Sequence, residues 1–150
     1  MKLQDILTLS CTSCAVPATS KKRILEKICQ IAASEVGNAD PGDLLDSLLD
    51  REKMGSTGIG NGIAIPHGRL IHTNKAVAVL LTTEEAIDFD AIDNRDVDIF
   101  ISLFVPEDRC NEHLDTLQSI AKLFSDKQTL KQVRKCLNDK QLYDLVQQAS

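Results

Sequence analysis

Apolar residues in the first third of the chain recur at the three- and four-residue spacing that places side chains on one face of a helix. The first stripe consists of Ile24, Leu25, Ile28, Ile31 and Ala32. It lies between Ser20, whose hydroxyl suits a helix N-cap, and Gly37, which suits a helix end. A second stripe consists of Leu44, Leu45, Leu48 and Leu49. It follows Asp40 and Pro41, a capping residue and a first-turn proline, so the pattern predicts a second helix that ends near residues 54–55.

The middle of the chain changes to short apolar runs with the residue preferences of strands. Ile63-Ala64-Ile65 is one candidate, and residues 75–82 and 97–105 are two longer ones, rich in Val, Ile and Leu. Because polar residues hardly interrupt the longer runs, the pattern predicts strands that are covered on both faces. Pro106 is expected to end the last of them.

Three further helices are predicted at the end of the chain, over about 110–124, 129–137 and 141–148. Asp126 and Asp139 stand where the N-caps of the last two are expected. Helices first, strands in the middle and helices last predict an α/β fold. We expect a mixed parallel/antiparallel central sheet of about five strands, flanked by helices on both faces.

The composition narrows the classes of function. A chain of 150 residues without internal repeats predicts a single domain, 1–150. Aromatic residues make up 3% and the net charge is -5, which disfavours nucleic-acid binding, since that needs stacking rings and positive charge. The basic run at 21–23 is interpreted as a solvated helix end. Without a secretory leader or a long apolar run, we expect a cytoplasmic protein with no membrane insertion, and the oligomeric state stays open.

The cysteines are Cys11, Cys14, Cys29, Cys110 and Cys136. Their odd number and irregular spacing favour reduced thiols. Cys11-x-x-Cys14 and Cys110-x-x-His113 have spacings that a Cys₃His zinc site can use, but no further ligand cluster supports one, so we predict no metal. A thioredoxin-like redox role for Cys11 and Cys14 lacks the surrounding sequence that it requires. The roles of the five cysteines stay open.

Residues 55–68 hold five of the seven glycines of the chain. Glycine lets backbone N–H groups face an anion, as phosphate-binding loops do. Pro66 fixes the backbone before His67, and Gly68 removes side-chain bulk after it. This arrangement predicts an imidazole held beside amide donors, suited to accept a phosphoryl group and pass it on. The segment is neither a P-loop nor a dinucleotide-binding turn, and its residues alone also allow a loop histidine without a function.

Residues 51–68, REKMGSTGIGNGIAIPHG, resemble the signature of the fructose/mannitol-type enzyme IIA family of the phosphoenolpyruvate-dependent phosphotransferase system. The segment is closest to the nitrogen-branch members, which stand alone as regulatory proteins, and the likeness extends over essentially the whole chain. The resemblance implies that His67 attacks through Nε2 and becomes a tele-phosphohistidine, with an HPr-like carrier as donor and regulatory target proteins as readers. It implies no metal and no organic cofactor. It also implies a second active-site histidine, which matches His113.

Other residues of this segment are candidates for the same site. The predicted phosphate-binding set is Ser56, Thr57, Gly60, Asn61 and Gly68. The hydroxyls of Ser56 and Thr57 can bind phosphate or satisfy loop amides. Arg51 can pair with phosphate oxygens or with a partner protein, or can complement a helix dipole. His113 lies near a helix start that favours a neutral imidazole, so it can hold a hydrogen bond, cap the helix or be a surface residue without a role. His72 is expected to be a solvated loop residue.

Three functions remain after these observations. The first is a standalone regulatory enzyme IIA that is phosphorylated on His67. The second is a sugar-specific enzyme IIA that passes the phosphoryl group to an enzyme IIB. The third is a binding module that never carries phosphate. The first is favoured because the sequence shows no fused HPr, IIB or membrane domain, and because of the wording of the glycine-rich loop at 55–62. The presence of His67, together with His113 and Arg51, argues against the third.

Overall fold

The computed structural model describes residues 2–70 and 75–149, apart from the side chain of Cys110. Its helices are α1 (Leu3–Ile6), α2 (Lys21–Val36), α3 (Pro41–Glu52), α4 (Leu114–Leu123), α5 (Lys127–Lys135) and α6 (Asp139–Gln148). Its strands are β1 (Thr12–Val16), β2 (Gly58–Gly60), β3 (Ile63–Ala64), β4 (His67–Leu70), β5 (Val77–Ile87) and β6 (Val97–Pro106). Short 3-10 segments, Leu9–Cys11 and Glu107–His113, precede β1 and α4. His72, predicted to be a solvated loop residue, lies outside the described residues.

The two predicted N-terminal helices are confirmed, together with the caps that the sequence indicates. α2 follows Ser20, whose hydroxyl accepts a first-turn N–H at 3.2 Å, and it ends at Gly37. Gly37 has a φ of +87°, a conformation that glycine adopts at little cost. α3 follows Asp40, whose carboxylate accepts a first-turn N–H at 2.9 Å. Within the described residues, no helix is long and apolar enough to cross a bilayer.

The strands form one mixed sheet, which confirms the predicted α/β class. The order is β1-β5-β6-β3-β2, and β4 also pairs with β6. β1 runs parallel to β5, and β3 and β4 run parallel to β6, whereas the β5–β6 and β2–β3 pairs are antiparallel. The described residues form six strands, where about five were expected. The three strand candidates named from the pattern correspond to β3, β5 and β6, and β2 and β4 arise within the glycine-rich segment that the pattern predicts as a loop.

The central strands are covered on both faces, as their apolar runs predict. Every residue from 77 to 83 and from 99 to 106 is buried. Successive side chains of a strand point to opposite faces, so continuous burial requires cover on both. α2 packs against β5, α6 against β1, and α3 against β4. The last of these contacts places the end of α3 beside the histidine that begins β4.

The C-terminal helices differ from the prediction in two details. α4 begins only at Leu114, because residues 107–113 form an irregular 3-10 segment. Asp126 caps α5 as predicted, but Asp139 does not cap α6. The cap of α6 is Asn138, whose side-chain oxygen accepts a first-turn N–H at 2.9 Å. The Asp139 carboxylate instead accepts the backbone N–H of Cys14 at 2.7 Å, and so joins α6 to β1.

Candidate functional site

His67 begins β4 at the point where pairing along β6 passes from β3 to β4. Pro66 stands between the two strands and has no N–H to give to the sheet. Its carbonyl accepts both the Ser102 hydroxyl at 2.9 Å and the Leu103 N–H at 3.1 Å. The backbone just before His67 is therefore fixed to the buried centre of the sheet.

Two hydrogen bonds define the state of the His67 imidazole. Nδ1 lies 3.0 Å from the carbonyl oxygen of Ile65, and Nε2 lies 3.2 Å from Nε of Arg51. A carbonyl can only accept, so Nδ1 carries the proton, and the guanidinium can only donate, so Nε2 carries the lone pair. Both bonds select the same tautomer, in which Nε2 is the nucleophilic nitrogen.

The surroundings of His67 favour the neutral ring. Burial is the main cause that lowers the pKa of the imidazole below its ordinary value. The hydrogen bond to the Ile65 carbonyl opposes this effect, and the positive charge of Arg51 adds to the lowering. A neutral imidazole with a free electron pair on Nε2 is the form that attacks phosphorus.

Arg51 reaches His67 from the last turn of α3. Its Nη1 donates to the carbonyl of Gly55 at 2.8 Å while its Nε donates to His67. The guanidinium thus bridges the turn after α3 and the imidazole. A fork of this kind can move from a nitrogen lone pair to the oxygens of a phosphoryl group without leaving the site.

A surface depression of about 480 Å³ contains the two histidines. The polar residues that line it are Ser47, Asp50, Arg51, His67, Arg69 and His113. The apolar ones are Met54, Leu103, Val105, Leu114 and Leu117, and Gly68 completes the lining. The structure therefore brings together four of the predicted site residues, namely His67, His113, Arg51 and Gly68.

His113 lies at the start of α4 but does not cap it, since its side chain makes no capping hydrogen bond. The residue is 7% exposed, and its Nδ1 lies 3.4 Å from the hydroxyl of Thr116. Burial is the main cause that lowers the pKa of this imidazole. The sequence predicts a neutral His113 from the positive helix end, and burial favours the same neutral form in the structure.

Gly68 is explained by packing of α3 on β4. A Cβ at position 68 would lie 2.8 Å from Oγ of Ser47, closer than carbon and oxygen can approach. The same Ser47 hydroxyl accepts the backbone N–H of Arg69 at 2.8 Å. The absence of a side chain at 68 therefore lets α3 bring both Ser47 and Arg51 up to the depression.

The family described as "Phosphoenolpyruvate-dependent sugar phosphotransferase system, EIIA 2" matches residues 5–149. The chain belongs to this family. An enzyme IIA is a phosphotransfer component of that system, and the match includes all six strands and the whole lining of the depression.

Relatives of this enzyme IIA confirm the resemblance seen in the sequence. The nitrogen regulatory protein of Klebsiella oxytoca is 44% identical over 150 residues, which cover 99% of this chain and 92% of that protein. The crystal structure of nitrogen regulatory protein IIA-Ntr from Neisseria meningitidis has a TM-score of 0.87 at 32% identity, and the match covers 96% of this chain and 98% of that one. The crystal structure of IIA mannitol from Escherichia coli has a TM-score of 0.71 at 19% identity, with 97% and 98% covered, and shares the fold.

Two predicted phosphate-binding hydroxyls of this enzyme IIA have protein partners. The Ser56 hydroxyl donates to the carbonyl of Phe89 at 2.8 Å, and the hydroxyl and N–H of Thr57 both donate to the carboxylate of Glu52. Thr57 is buried. These bonds fix the turn that follows α3 and leave neither hydroxyl in the lining of the depression.

Gly60 is the last residue of β2 and Asn61 begins the turn to β3, with φ values of +102° and +58°. The Asn61 N–H donates to Asp93 at 3.1 Å, and its carbonyl accepts Nη2 of Arg134 at 2.7 Å. Neither residue lines the depression around His67. Their conformations shape the hairpin whose second strand leads to Pro66.

An ion pair behind the site was not predicted from the sequence. Nζ of Lys21 lies 3.0 Å from Glu52, whose side chain is 6% exposed, and 4.5 Å from the ring centre of Phe89. The interpretation of Lys21 as part of a solvated helix end is therefore wrong. One signal was available, because a lysine in the first turn of a helix opposes the helix dipole and implies a compensating partner.

No metal centre is formed by the described residues. Within the part of the chain that the structure describes, no three His, Cys, Asp or Glu side chains are placed to hold an ion. Cys14 of the proposed zinc spacing donates its thiol to the carbonyl of Cys136 instead.

Proposed function

We propose that His67 accepts a phosphoryl group on Nε2 from an HPr-like carrier of the nitrogen branch, and that regulatory target proteins read its phosphorylation state. The observation that supports this proposal is the pair of hydrogen bonds on the imidazole. The Ile65 carbonyl holds the proton on Nδ1 at 3.0 Å, and the nucleophilic Nε2 accepts a hydrogen bond from the side chain of Arg51.

The proposed transfer is in-line between two imidazoles. The P–N bond of the donor phosphohistidine breaks, its electron pair returns to the donor nitrogen, and Nε2 of His67 forms the new P–N bond. Because His67 keeps its Nδ1 proton, the phosphorylated ring carries a positive charge that the Ile65 carbonyl stabilises. These steps use no metal and no organic cofactor.

Arg51 and His113 are the residues proposed to bind the phosphoryl oxygens, together with the backbone at Gly68. Arg51 must release the Nε2 lone pair before attack, and its guanidinium then stabilises the charge that develops on the oxygens. His113 lines the same depression and can donate from its neutral ring. Ser56, Thr57, Gly60 and Asn61 take no part in this proposal, because their polar groups shape the turns around the site.

The surface around His67 suits a carrier whose own histidine lies among apolar and basic residues. Met54 and Leu114 line the depression and are 82% and 55% exposed. An adjoining depression of about 470 Å³ shares Ser47, Asp50 and Arg69 with the first. Its acidic residues are Asp40, Asp43, Asp46, Asp50 and Glu107. Opposite charge on a partner would speed association and fix its orientation.

The nitrogen branch is supported by the relatives of higher identity, which are named nitrogen regulatory proteins. We propose the same nitrogen-branch role for this chain. A cytoplasmic location, where such a carrier would act, is part of the same proposal. Transfer to an enzyme IIB of a sugar branch is the alternative. It is decided by the same experiment.

The test is phosphotransfer from phosphoenolpyruvate through enzyme I and one of two carriers, a nitrogen-branch HPr-like protein or a sugar-branch HPr. Intact-mass spectrometry follows the wild type and the variants His67→Ala, His113→Ala and Arg51→Ala. Arg134→Ala is the matched arginine control, because Arg134 pairs with Asp98 at 3.0 Å and does not line the depression.

We expect the nitrogen-branch carrier to phosphorylate the wild type and Arg134→Ala, and to leave His67→Ala unmodified but folded. Arg51→Ala should react on the order of 100-fold more slowly, the effect of losing one preorganised donor at a reacting centre. If sugar-branch HPr phosphorylates the chain faster and the phosphoryl group passes on to an enzyme IIB, the sugar-specific function would replace the nitrogen-branch function. An acid-labile phosphate on His67→Ala would overturn the assignment of the acceptor, and charging by neither carrier would leave a binding module.

A further inference from the structure

Two thiols, Cys14 and Cys136, meet where β1 packs against the turn between α5 and α6. Sγ of Cys14 donates to the carbonyl of Cys136 at 3.2 Å. Both cysteines are free and partly exposed. They are 122 positions apart in the sequence, so the fold and not the local chain brings them together.

The backbone around both cysteines is fixed by further hydrogen bonds. The N–H of Cys14 donates to the carboxylate of Asp139 at 2.7 Å, just beyond the turn that contains Cys136. The next residue, Ala15, has a φ of +54°, and its N–H donates to the Thr82 hydroxyl at 2.9 Å. The register of β1 against β5 shifts at this point, which is the geometry of a bulge.

We propose that Cys14 and Cys136 form an oxidation-sensitive pair, which a peroxide converts into an intramolecular disulfide between β1 and the α5–α6 turn. Cys136 Sγ now donates to the Gln132 carbonyl at 3.4 Å, a weak contact that rotation of the side chain gives up. A carbonyl oxygen lies about 2.4 Å from its own Cα, so the Cys14 sulfur is already near the Cα of Cys136. A disulfide needs Cα atoms about 4.4 to 6.8 Å apart, a span compatible with this contact.

The reaction balances with one peroxide. The Cys14 thiolate attacks a peroxide oxygen, the O–O bond breaks, hydroxide leaves, and Cys14 becomes a sulfenic acid. The Cys136 thiolate then attacks the Cys14 sulfur, the S–O bond breaks, and a second hydroxide leaves. The two released thiol protons convert both hydroxides to water. The two sulfurs lose two electrons in total, and the peroxide gains them.

Cys136 is suited to the second step rather than the first. Burial, and next the neighbouring Cys14, raise the pKa of the Cys136 thiol, so little of it is thiolate at neutral pH. Once Cys14 is a sulfenic acid, Cys136 lies next to it. The high local concentration of this second thiol offsets its low thiolate fraction.

Other cysteines provide controls. Cys11 and Cys29 are each 1% exposed, and burial raises the pKa of Cys29 to about 12. Neither can reach a peroxide without local opening. The pair is also separate from His67, because β5 and β6 lie between β1 and β4, which is roughly 14 Å of sheet. Success or failure of this proposal is therefore independent of the proposed phosphotransfer.

The experiment treats the purified full chain with a small excess of hydrogen peroxide, blocks remaining thiols with an alkylating reagent, and maps the unreduced protein by protease digestion and mass spectrometry. The variants are Cys14→Ser and Cys136→Ser, with Cys29→Ala and Cys110→Ser as controls. Thermal unfolding of oxidised and dithiothreitol-treated protein is recorded alongside.

We expect a loss of two hydrogen masses and one cross-linked peptide that joins Cys14 to Cys136, both reversed by dithiothreitol. Cys14→Ser and Cys136→Ser should abolish the link, and Cys29→Ala and Cys110→Ser should retain it. The oxidised wild type should also unfold at a higher temperature, because the link constrains the unfolded chain. The proposal is wrong if Cys14 is oxidised to sulfinic acid without a link to Cys136, if the link joins two separate chains, or if an intramolecular disulfide persists in Cys14→Ser.

Discussion

At the scale of single residues, two hydrogen bonds on the His67 ring determine which of its nitrogens can attack in the proposed phosphotransfer. The Ile65 carbonyl 3.0 Å from Nδ1 keeps the proton on that nitrogen, so attack from Nδ1 would require loss of a partly buried hydrogen bond. The contact on Nε2 is a charged side chain that can exchange partners. The backbone therefore blocks Nδ1. Nε2 contacts Arg51, whose guanidinium can also bind the oxygens of the phosphoryl group after the proposed transfer.

Titration of the histidines is the first prediction at this scale. Since burial and Arg51 lower the pKa of His67, its NMR titration midpoint should lie below the ordinary value of about 6.5. Arg51→Ala should move the midpoint upward but leave it below that value, because burial, the larger cause, remains. His113 should shift in the same direction. A midpoint for His67 at or above 6.5 would contradict the buried neutral ring.

The lowered pKa of His67 also makes the free energy of unfolding depend on pH. Between about pH 6.5 and the lower pKa of the folded protein, the unfolded chain binds a proton on His67 and the folded chain does not. Acidification through this interval therefore lowers the free energy of unfolding. In His67→Ala the slope of stability against pH should be smaller by this contribution, which denaturant titrations at several pH values would measure.

At the scale of elements, the site depends on the contact of α3 with β4. α3 supplies Ser47 and Arg51, and β4 supplies His67 and Gly68. The two elements approach closely only because position 68 has no side chain. The ion pair of Lys21 with Glu52, and the hydrogen bonds that Thr57 donates to the Glu52 carboxylate, also fix the end of α3.

A methyl group at this contact is predicted to force the elements apart. Gly68→Ala would place Cβ 2.8 Å from Oγ of Ser47, and we expect a loss of about 1–3 kcal/mol in the free energy of unfolding. Phosphotransfer should slow as well, since Arg51 shifts with α3. Urea denaturation and the phosphotransfer assay measure the two effects.

Gly42→Ala is the matched control. A Cβ there would meet its nearest atom, the Asp40 carboxylate, at an ordinary 3.4 Å, and alanine favours a helix by about 1 kcal/mol over glycine. Gly42→Ala should therefore be neutral or stabilising. Equal stability of Gly68→Ala and the wild type would show that α3 and β4 do not approach as described.

The elements also differ in how well the sequence alone predicts them. α2 and α3 carry their own start and stop signals, Ser20, Gly37 and Asp40, and these acted as predicted. β2 and β4 have no such signals, because they are two short glycine-containing segments that become strands only by pairing with β3 and β6. The hydrogen-bond partners of Ser56 and Thr57, the Phe89 carbonyl and the Glu52 carboxylate, could not be predicted for a similar reason, since folding brings them to the hydroxyls.

At the scale of the whole molecule, the negative charge is distributed unevenly around the site. The net charge is -5, and the acidic depression of Asp40, Asp43, Asp46, Asp50 and Glu107 adjoins the one that contains His67. A partner with a basic surface would be attracted to this side of the molecule before any contact forms.

Charge reversal on this side should slow association with the proposed carrier. Asp43→Lys with Asp46→Lys is expected to lower the association rate about 10-fold at low salt, and the difference should shrink at high salt. Glu84→Lys with Glu85→Lys makes the same change in net charge at two exposed positions of β5 that do not line either depression. Stopped-flow measurements of both double variants should differ, and identical rates would remove the acidic depression from carrier recognition.

The two outermost strands of the sheet are short and irregular, and this limits how the molecule can associate. β1 has five residues, is broken by the left-handed Ala15, and gives the N–H of Cys14 to Asp139. β2 has three residues, and the Gly58 carbonyl accepts the N–H of Ile92. Edges of this kind are poor templates for another strand, so β1 and β2 resist strand addition and fibril-like stacking. At these two edges, contact with another protein would therefore rest on side chains, which suits the reversible encounters of the proposed carrier.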